Sequence, residues 1–133
     1  MTLTEQRIIG DGKVLGYYGA NRFGQYLDAV PTGNLPILKL DPGTAEPAEF
    51  IECPTLEIVS MSGIQTDFYS DYVGGEIRLA YWKDGKDVRP VTGISISAKL
   101  SDVLNNIRFS VECVPMANYH GPKTAYIEGM NIF

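Results

Sequence analysis

One histidine, His120, and two cysteines, Cys53 and Cys113, are the only imidazole and thiol groups in this chain of 133 residues. A zinc site built on two imidazoles cannot be assembled from such a set, and with a single histidine no Ser-His-Asp arrangement can be told from chance. No Gly-x-Ser-x-Gly nucleophile elbow is present either. Apolar runs of membrane-spanning length are missing, and the stretch from Met1 to Arg7 has no apolar signal-peptide core. The chain is therefore expected in the cytoplasm, with no membrane partner and with both cysteines as free, buried thiols. Lys and Arg are also missing from Leu40 through Ile77, a stretch that holds eight acids: Asp41, Glu46, Glu49, Glu52, Glu57, Asp67, Asp71 and Glu76. Eleven bases against eight acids lie outside it, which recovers the net charge of −5. An acidic middle gives no counterion-releasing patch, so direct nucleic-acid binding is disfavoured.

What is present suits one small domain. A hydrophobic fraction of 44% can close a core without disulfides, and 14 Gly with 8 Pro cut the chain into short elements rather than long helices. Arg7-Ile8-Ile9 and Val14-Leu15-Gly16-Tyr17-Tyr18 flank Gly10-Asp11-Gly12, an Asp-Gly hairpin turn. Gly10, Gly12 and Gly16 do not make a dinucleotide fingerprint, since the spacing is one residue too long and a strand-like run follows. Asn21 caps a helical stripe of Phe23, Tyr26, Leu27 and Val30, and Leu35 to Leu40 reads as a short strand. Thr44 to Glu52, with Pro47 and its acids in the first turn, predicts a short helix.

Leu56 to Met61 predicts a strand, and Ser62 to Gly75, rich in Gly, Ser and Asp, a long loop or irregular crossing. Alternation from Glu76 to Lys83, then Asp84-Gly85 and Lys86 to Val91, predicts a second hairpin of the same kind as the first. Gly93 to Ser97 is a strand. Leu100, Val103, Leu104 and Ile107 make a helix with Ser101 as its cap, followed by a strand through Phe109, Val111 and Cys113 and a last one at Ala125 and Ile127. The expected fold class is α+β, predominantly antiparallel β, barrel- or sandwich-like, with two or three short helices.

Among candidate contact residues, Asp67, Tyr69, Asp71 and Tyr72, with Phe68 between them, form the best recognition loop, because aromatics beside carboxylates suit peptide contact. The competing reading has these tyrosines closing the end of a β core. Cys113 reads as a buried strand residue in phase with Val111 and Phe109, His120 as a loop histidine, and the acidic run as a solvated face.

The order of these motifs carries a resemblance over nearly the whole chain. Ile8-Ile9-Gly10-Asp11-Gly12-Lys13-Val14-Leu15-Gly16-Tyr17, then a helix and Ala29-Val30-Pro31-Thr32-Gly33-Asn34, resembles the start of the C-terminal domain of the TldD/PmbA peptidases. Leu40-Asp41-Pro42-Gly43-Thr44, Gly75 to Lys86, Arg89-Pro90-Val91-Thr92-Gly93 and Gly121 to Ile132 are similar to its later turns and strands. The resemblance implies a single domain over residues 1–133 that belongs to a zinc metallopeptidase family, historically named modulators of DNA gyrase, whose members act as dimers or paired heterodimers on peptides. It also implies a zinc-binding His-Glu-x-x-x-His helix upstream, absent from this chain, and places the family's further cysteine ligand at Cys113. The segment around Cys113 departs from the glycine-rich pattern of the family. The function expected is a scaffold, dimerisation and peptide-cleft domain with no catalytic residues and no cofactor of its own, zinc entering only in a complete assembly. The alternative is a non-catalytic peptide-binding or protein-interaction module.

Overall fold

A computed structural model describes residues 7–16, 26, 28 and 37–133. They fall into two compact units, one formed by Met1–Lys39 and Met116–Tyr119 and the other by Leu40–Pro115 and His120–Phe133. In the first unit, β1 (Ile9–Gly10) and β2 (Lys13–Val14) form the expected hairpin. Its turn residues Asp11 and Gly12 both take positive φ, 51° and 71°, as a mirror-image turn requires. The Ile8 carbonyl accepts from the Leu15 amide at 2.7 Å and extends the pairing. β3 (Leu38–Lys39) is shorter than the predicted strand, and the Leu38 amide donates to the Asn118 carbonyl at 2.9 Å. The helix predicted from Asn21 to Val30 lies outside the described residues, apart from Tyr26 and Asp28.

The second unit is organised by one antiparallel sheet. β4 (Thr55–Asp67) and β5 (Tyr72–Asp84) are each 13 residues long and pair along their whole length. β7 (Ile94–Lys99) pairs with the first part of β5, β6 (Asp87–Val91) with the last part, and β12 (Asn131–Ile132) with β7. The predicted loop from Ser62 to Gly75 is therefore corrected to the ends of two strands and a tight turn. Two of its glycines are there for closeness: a Cβ on Gly75 would meet the Gly63 carbonyl and come within 2.9 Å of Met61 Cε, and one on Gly74 would meet the Tyr72 hydroxyl. Glycine inside a strand marks such approaches, and β4 is bulged between Ile58 and Gly63 as well. The β5–β6 turn is Gly85-Lys86 with only Gly85 at positive φ, 59°, so its kind differs from the first hairpin's.

Opposed residues share a sheet face, and the register puts Met61, Ile77 and Ile94 on one face with Gly75 and Ile96. There Ile77, Ala80 and Ile96 form a core cluster with Leu56, Met61, Ile94 and Met130 packed against it. Val73 carries a second cluster with Leu100 and Val103 of α1 (Leu100–Asn106). Apart from the helical Tyr26, α1 is the only α-helix among the described residues. The helix predicted from Thr44 to Glu52 is instead a 3-10 turn, Pro47–Phe50, in which the Glu46 amide donates to Glu49 Oε1 at 3.1 Å. The sheet is open, with β4 at one edge and β12 at the other, so the described residues close no barrel.

The remaining strands are short. β8 (Arg108–Phe109) pairs with β11 (Ala125–Tyr126), and β9 (Cys113–Pro115) with the His120–Pro122 part of β10 (Tyr119–Pro122). The continuous strand expected through Phe109, Val111 and Cys113 is broken at Ser110, which turns inward to bridge Ala45 and is 2% exposed. His120 is in β10 rather than a loop.

Candidate functional site

The turn from β4 to β5 brings Asp67, Phe68, Tyr69, Asp71 and Tyr72 together at the tip of a long hairpin. Asp67 and Tyr72 are the closing pair. The Asp67 carboxylate accepts from the Tyr69 amide at 2.9 Å and the Ser70 amide at 3.3 Å, folding the turn over itself. The Ser70 hydroxyl, then the Tyr69 and Ser70 amides, hold the Asp67 carboxyl below its ordinary range. Asp71 takes φ of 52° and turns away to the start of α1. There its carboxylate accepts from the Ser101 hydroxyl at 2.6 Å and the Ser101 amide at 2.7 Å, and its carbonyl from the Leu100 amide at 3.1 Å. These bonds, from the Ser101 side chain first and its amide second, with Lys99 adding attraction, depress the Asp71 pKa. The helix is thus capped from another element, and Ser101 receives the cap rather than providing it.

Both carboxylates are engaged within the protein, and the aromatic groups are left facing outward. Phe68 is 79% and Tyr69 104% exposed, while Tyr72 lays its phenol over Gly74 beside the Ile96 carbonyl. The reading in which these rings close the end of a core fails for Phe68 and Tyr69. An arrangement of this kind can contact an apolar or aromatic group, but it offers no acid-base pair aimed at a common point.

Cys113 is not part of the tip; it lies in β9, opposite Pro122, and its Sγ is 3.8 Å from the Val111 carbonyl. Both Cys113 and Cys53 are free and exposed, so the expected free state holds but the expected burial does not. The inward turn at Ser110 is the physical reason for Cys113, because it resets the alternation that would have put Cys113 under a sheet. No three His, Cys, Asp or Glu side chains come together among the described residues, and His120 is paired with Pro115, not Cys113. These donors do not by themselves fit the zinc that the family implies.

The acidic run meets its counter-charges across the fold. Glu57 pairs with Lys83, and Glu49 with Arg108 at 2.8 Å. The Arg108 side chain, followed by the Glu46 amide, keeps the Glu49 carboxyl ionised below its usual pKa. Arg108 also sits 5.6 Å from the centre of the Phe50 ring, which stacks on Tyr126 at 3.9 Å. Sequence reading missed this cluster; Glu49 and Phe50, the sixth and seventh residues of the predicted Thr44–Glu52 helix, gave no sign of a partner near Arg108. It also missed Ser110, whose hydroxyl donates to the Glu112 carbonyl at 2.8 Å and accepts from the Thr124 amide at 3.1 Å.

An open antiparallel sheet with one helix on its apolar face and an aromatic hairpin tip defines a β-rich α+β domain. The profile of the PmbA/TldA metallopeptidase C-terminal domain matches residues 1–132, and the chain belongs to that family. No curated protein gave a match. Among the described residues no helix is long and apolar enough to cross a membrane.

Proposed function

We propose that the chain is the scaffold, dimerisation and peptide-cleft domain of a TldD/PmbA-type zinc metallopeptidase, without proteolytic activity of its own. The observation that carries this reading is the family match over residues 1–132 in a chain whose only imidazole is His120. A zinc-activated water needs several protein ligands, and this chain has one imidazole to give. Cys113, exposed on β9, is available as one thiolate for a zinc whose other ligands come from an upstream domain or a paired subunit. Peptide substrate contacts fall to the hairpin tip, with Tyr69 and Phe68 as contact groups and Asp67, Asp71 and Tyr72 as the residues that shape it. The work of such an assembly belongs in the cytoplasm, and nucleic acid is not among its direct partners.

The test is co-expression with a domain carrying His-Glu-x-x-x-His. Stoichiometric zinc in the complex, lost on Cys113→Ser while the complex still forms, is the expected result. Chelator-sensitive proteolysis by the chain alone would overturn the proposal. A second reading, a peptide-binding or interaction module that has lost catalysis, is favoured by the outward aromatic pair. It predicts binding at the tip with no zinc taken up in any pairing.

A further inference from the structure

Arg78 stands at the one break in the pairing of β5. On the β4 side Leu79 is opposite Ser60 and Ile77 opposite Met61, so Arg78 is passed over, and the next step, from Met61 to Gly63, passes over Ser62. On the other side β7 pairs with β5 as far as Ile77 and β6 only from Ala80 onward. Among the described residues, Arg78 is thus the only member of β5 opposed on neither side. Ile77 and Ala80, which strict alternation would put on opposite faces, both belong to one core cluster, so the phase of the strand shifts between them. A bulge of this kind re-aims a side chain, and here the side chain is an exposed cation. The two passed-over residues meet: Arg78 Nε donates to Ser62 Oγ at 3.0 Å.

The charge on Arg78 is not neutralised within the chain. Arg89 and Arg108 reach the carboxylates of Asp87 and Glu49, and Lys83 and Lys123 those of Glu57 and Glu112, whereas Ser62 is the only partner of Arg78 among the described residues. Ser62 takes the Nε donor and leaves the donors on both terminal nitrogens open, on the end of the guanidinium that matches a carboxylate two for two. With Nε held, the fork has less freedom to lose on binding. Arg78 also follows directly on the stretch from Leu40 through Ile77, with its eight acids and no base, and in that field a singly charged carboxylate fits better than a polyanion. We propose that Arg78 receives a carboxylate of a bound peptide through its two terminal nitrogens, with Ser62 as its positioning residue. This deepens the peptide-contact role proposed above and rests on it. From Tyr72 to Arg78 the strand runs about 20 Å at about 3.3 Å per residue, so roughly six residues of extended peptide reach from the aromatic tip to the guanidinium.

Affinity selection on the full chain tests the assignment, with heptapeptides randomised at every position in two libraries, one with free C termini and one amidated. The peptides that wild type retains should carry a carboxylate at a fixed place. Loss of binding on amidation identifies it as the C terminus, and enrichment of Asp or Glu at one position of the amidated library identifies it as a side chain. The selected peptides should bind Arg78→Gln at least about tenfold more weakly, with an unchanged circular dichroism spectrum. Arg78→Lys should recover only part of that loss, because an ammonium lacks the fork, and Ser62→Ala should weaken binding about threefold while the preference for a carboxylate stays. The wild-type preference needs no variant and is the readout independent of folding. Selected peptides without a carboxylate preference, or peptides that bind Arg78→Gln as tightly as wild type, overturn Arg78 as the receptor and leave the peptide-contact role standing. A wild type that retains no peptide from either library overturns that role and this proposal together.

Discussion

Removing one hydroxyl, Ser110→Ala, should cost the protein more than removing any surface ion pair. Ser110 stands where the chain leaves β8 and crosses to β9, and its Oγ joins two segments, donating to the Glu112 carbonyl at 2.8 Å and accepting from the Thr124 amide at 3.1 Å. Its backbone adds the Gly43 amide on its carbonyl at 3.1 Å and its own amide on the Thr124 carbonyl at 2.9 Å, so alanine keeps the backbone bonds and loses only the hydroxyl's two. A net hydrogen bond contributes roughly 0.5–1.5 kcal/mol, which puts the loss near 2 kcal/mol for two bonds at a buried position. With a urea m-value of about 2 kcal/mol/M for a domain of this size, the midpoint should fall by about 1 M. Trp82, the one tryptophan, lies in β5 of the same unit and gives the fluorescence signal, with far-ultraviolet circular dichroism as the second probe. Lys123→Ala is the control: it breaks the exposed Lys123–Glu112 pair at 3.5 Å and should change stability by less than about 0.5 kcal/mol. Equal midpoints for the two variants would refute the account of Ser110 as the tie that sets the β8–β9 crossing.

Three further outcomes are expected. Gly75→Ala should be strongly destabilising, by roughly 2 kcal/mol or more, because its methyl group meets the Gly63 carbonyl, a backbone atom that cannot turn aside; a thermal melt matching wild type would disprove the close approach. The Asp71 pKa is lower in the folded chain than its ordinary value of 3.8, so its stabilising effect is present above that value and is lost as pH falls through the lower folded pKa; Asp71→Asn should flatten the acid limb of a stability-pH profile, and an unchanged limb would show that the Ser101 bonds do not form. Both thiols should react with a disulfide reagent in the native protein at the rate of exposed cysteines; a lag until denaturant is added would place Cys53 or Cys113 inside.

Two kinds of residue made the fold legible from sequence. Asp11-Gly12 and Gly85 supply backbone conformations that few other residues tolerate, and both hairpins are found where those residues predict them. Ile94, Ile96, Leu100 and Val103 declare a change from strand to helical period within ten residues, and β7 and α1 divide between Lys99 and Leu100. What failed to show was any feature decided by an approach between distant segments. Gly63, Gly74 and Gly75 look like loop residues in one dimension. In three dimensions Gly74 and Gly75 let strands and side chains come together, and Ser62 to Gly75 proved to be mostly sheet. Ser110 similarly breaks a run of alternating residues for the sake of Ala45 and Thr124, neither of which is near it in the chain.

The same limit explains how the candidate site changed character. Sequence proximity joins Asp67 and Asp71 to the aromatic residues between and beside them, and so predicts a surface that is at once acidic and aromatic. Folding separates the two kinds of group. A carboxylate near free backbone amides is drawn to them, since an ionised acceptor makes a stronger bond than a neutral one. Asp67 finds the amides of its own turn, and Asp71 finds Ser101, 30 positions along the chain. Phe68 and Tyr69 have no comparable partner in the turn and remain outside. The acids therefore set the shape of the tip, and the rings form its exposed surface. A tip held this way loses little freedom when its aromatic groups are buried, which lowers the entropic cost of binding. Substituting Asp67 or Asp71 should consequently weaken binding at the tip by loosening it, with little change in salt dependence, whereas Phe68→Ser or Tyr69→Ser should remove the contact itself. A binding constant that falls steeply with salt in the wild type and loses that dependence in Asp67→Asn would show instead that the carboxylates reach the ligand directly.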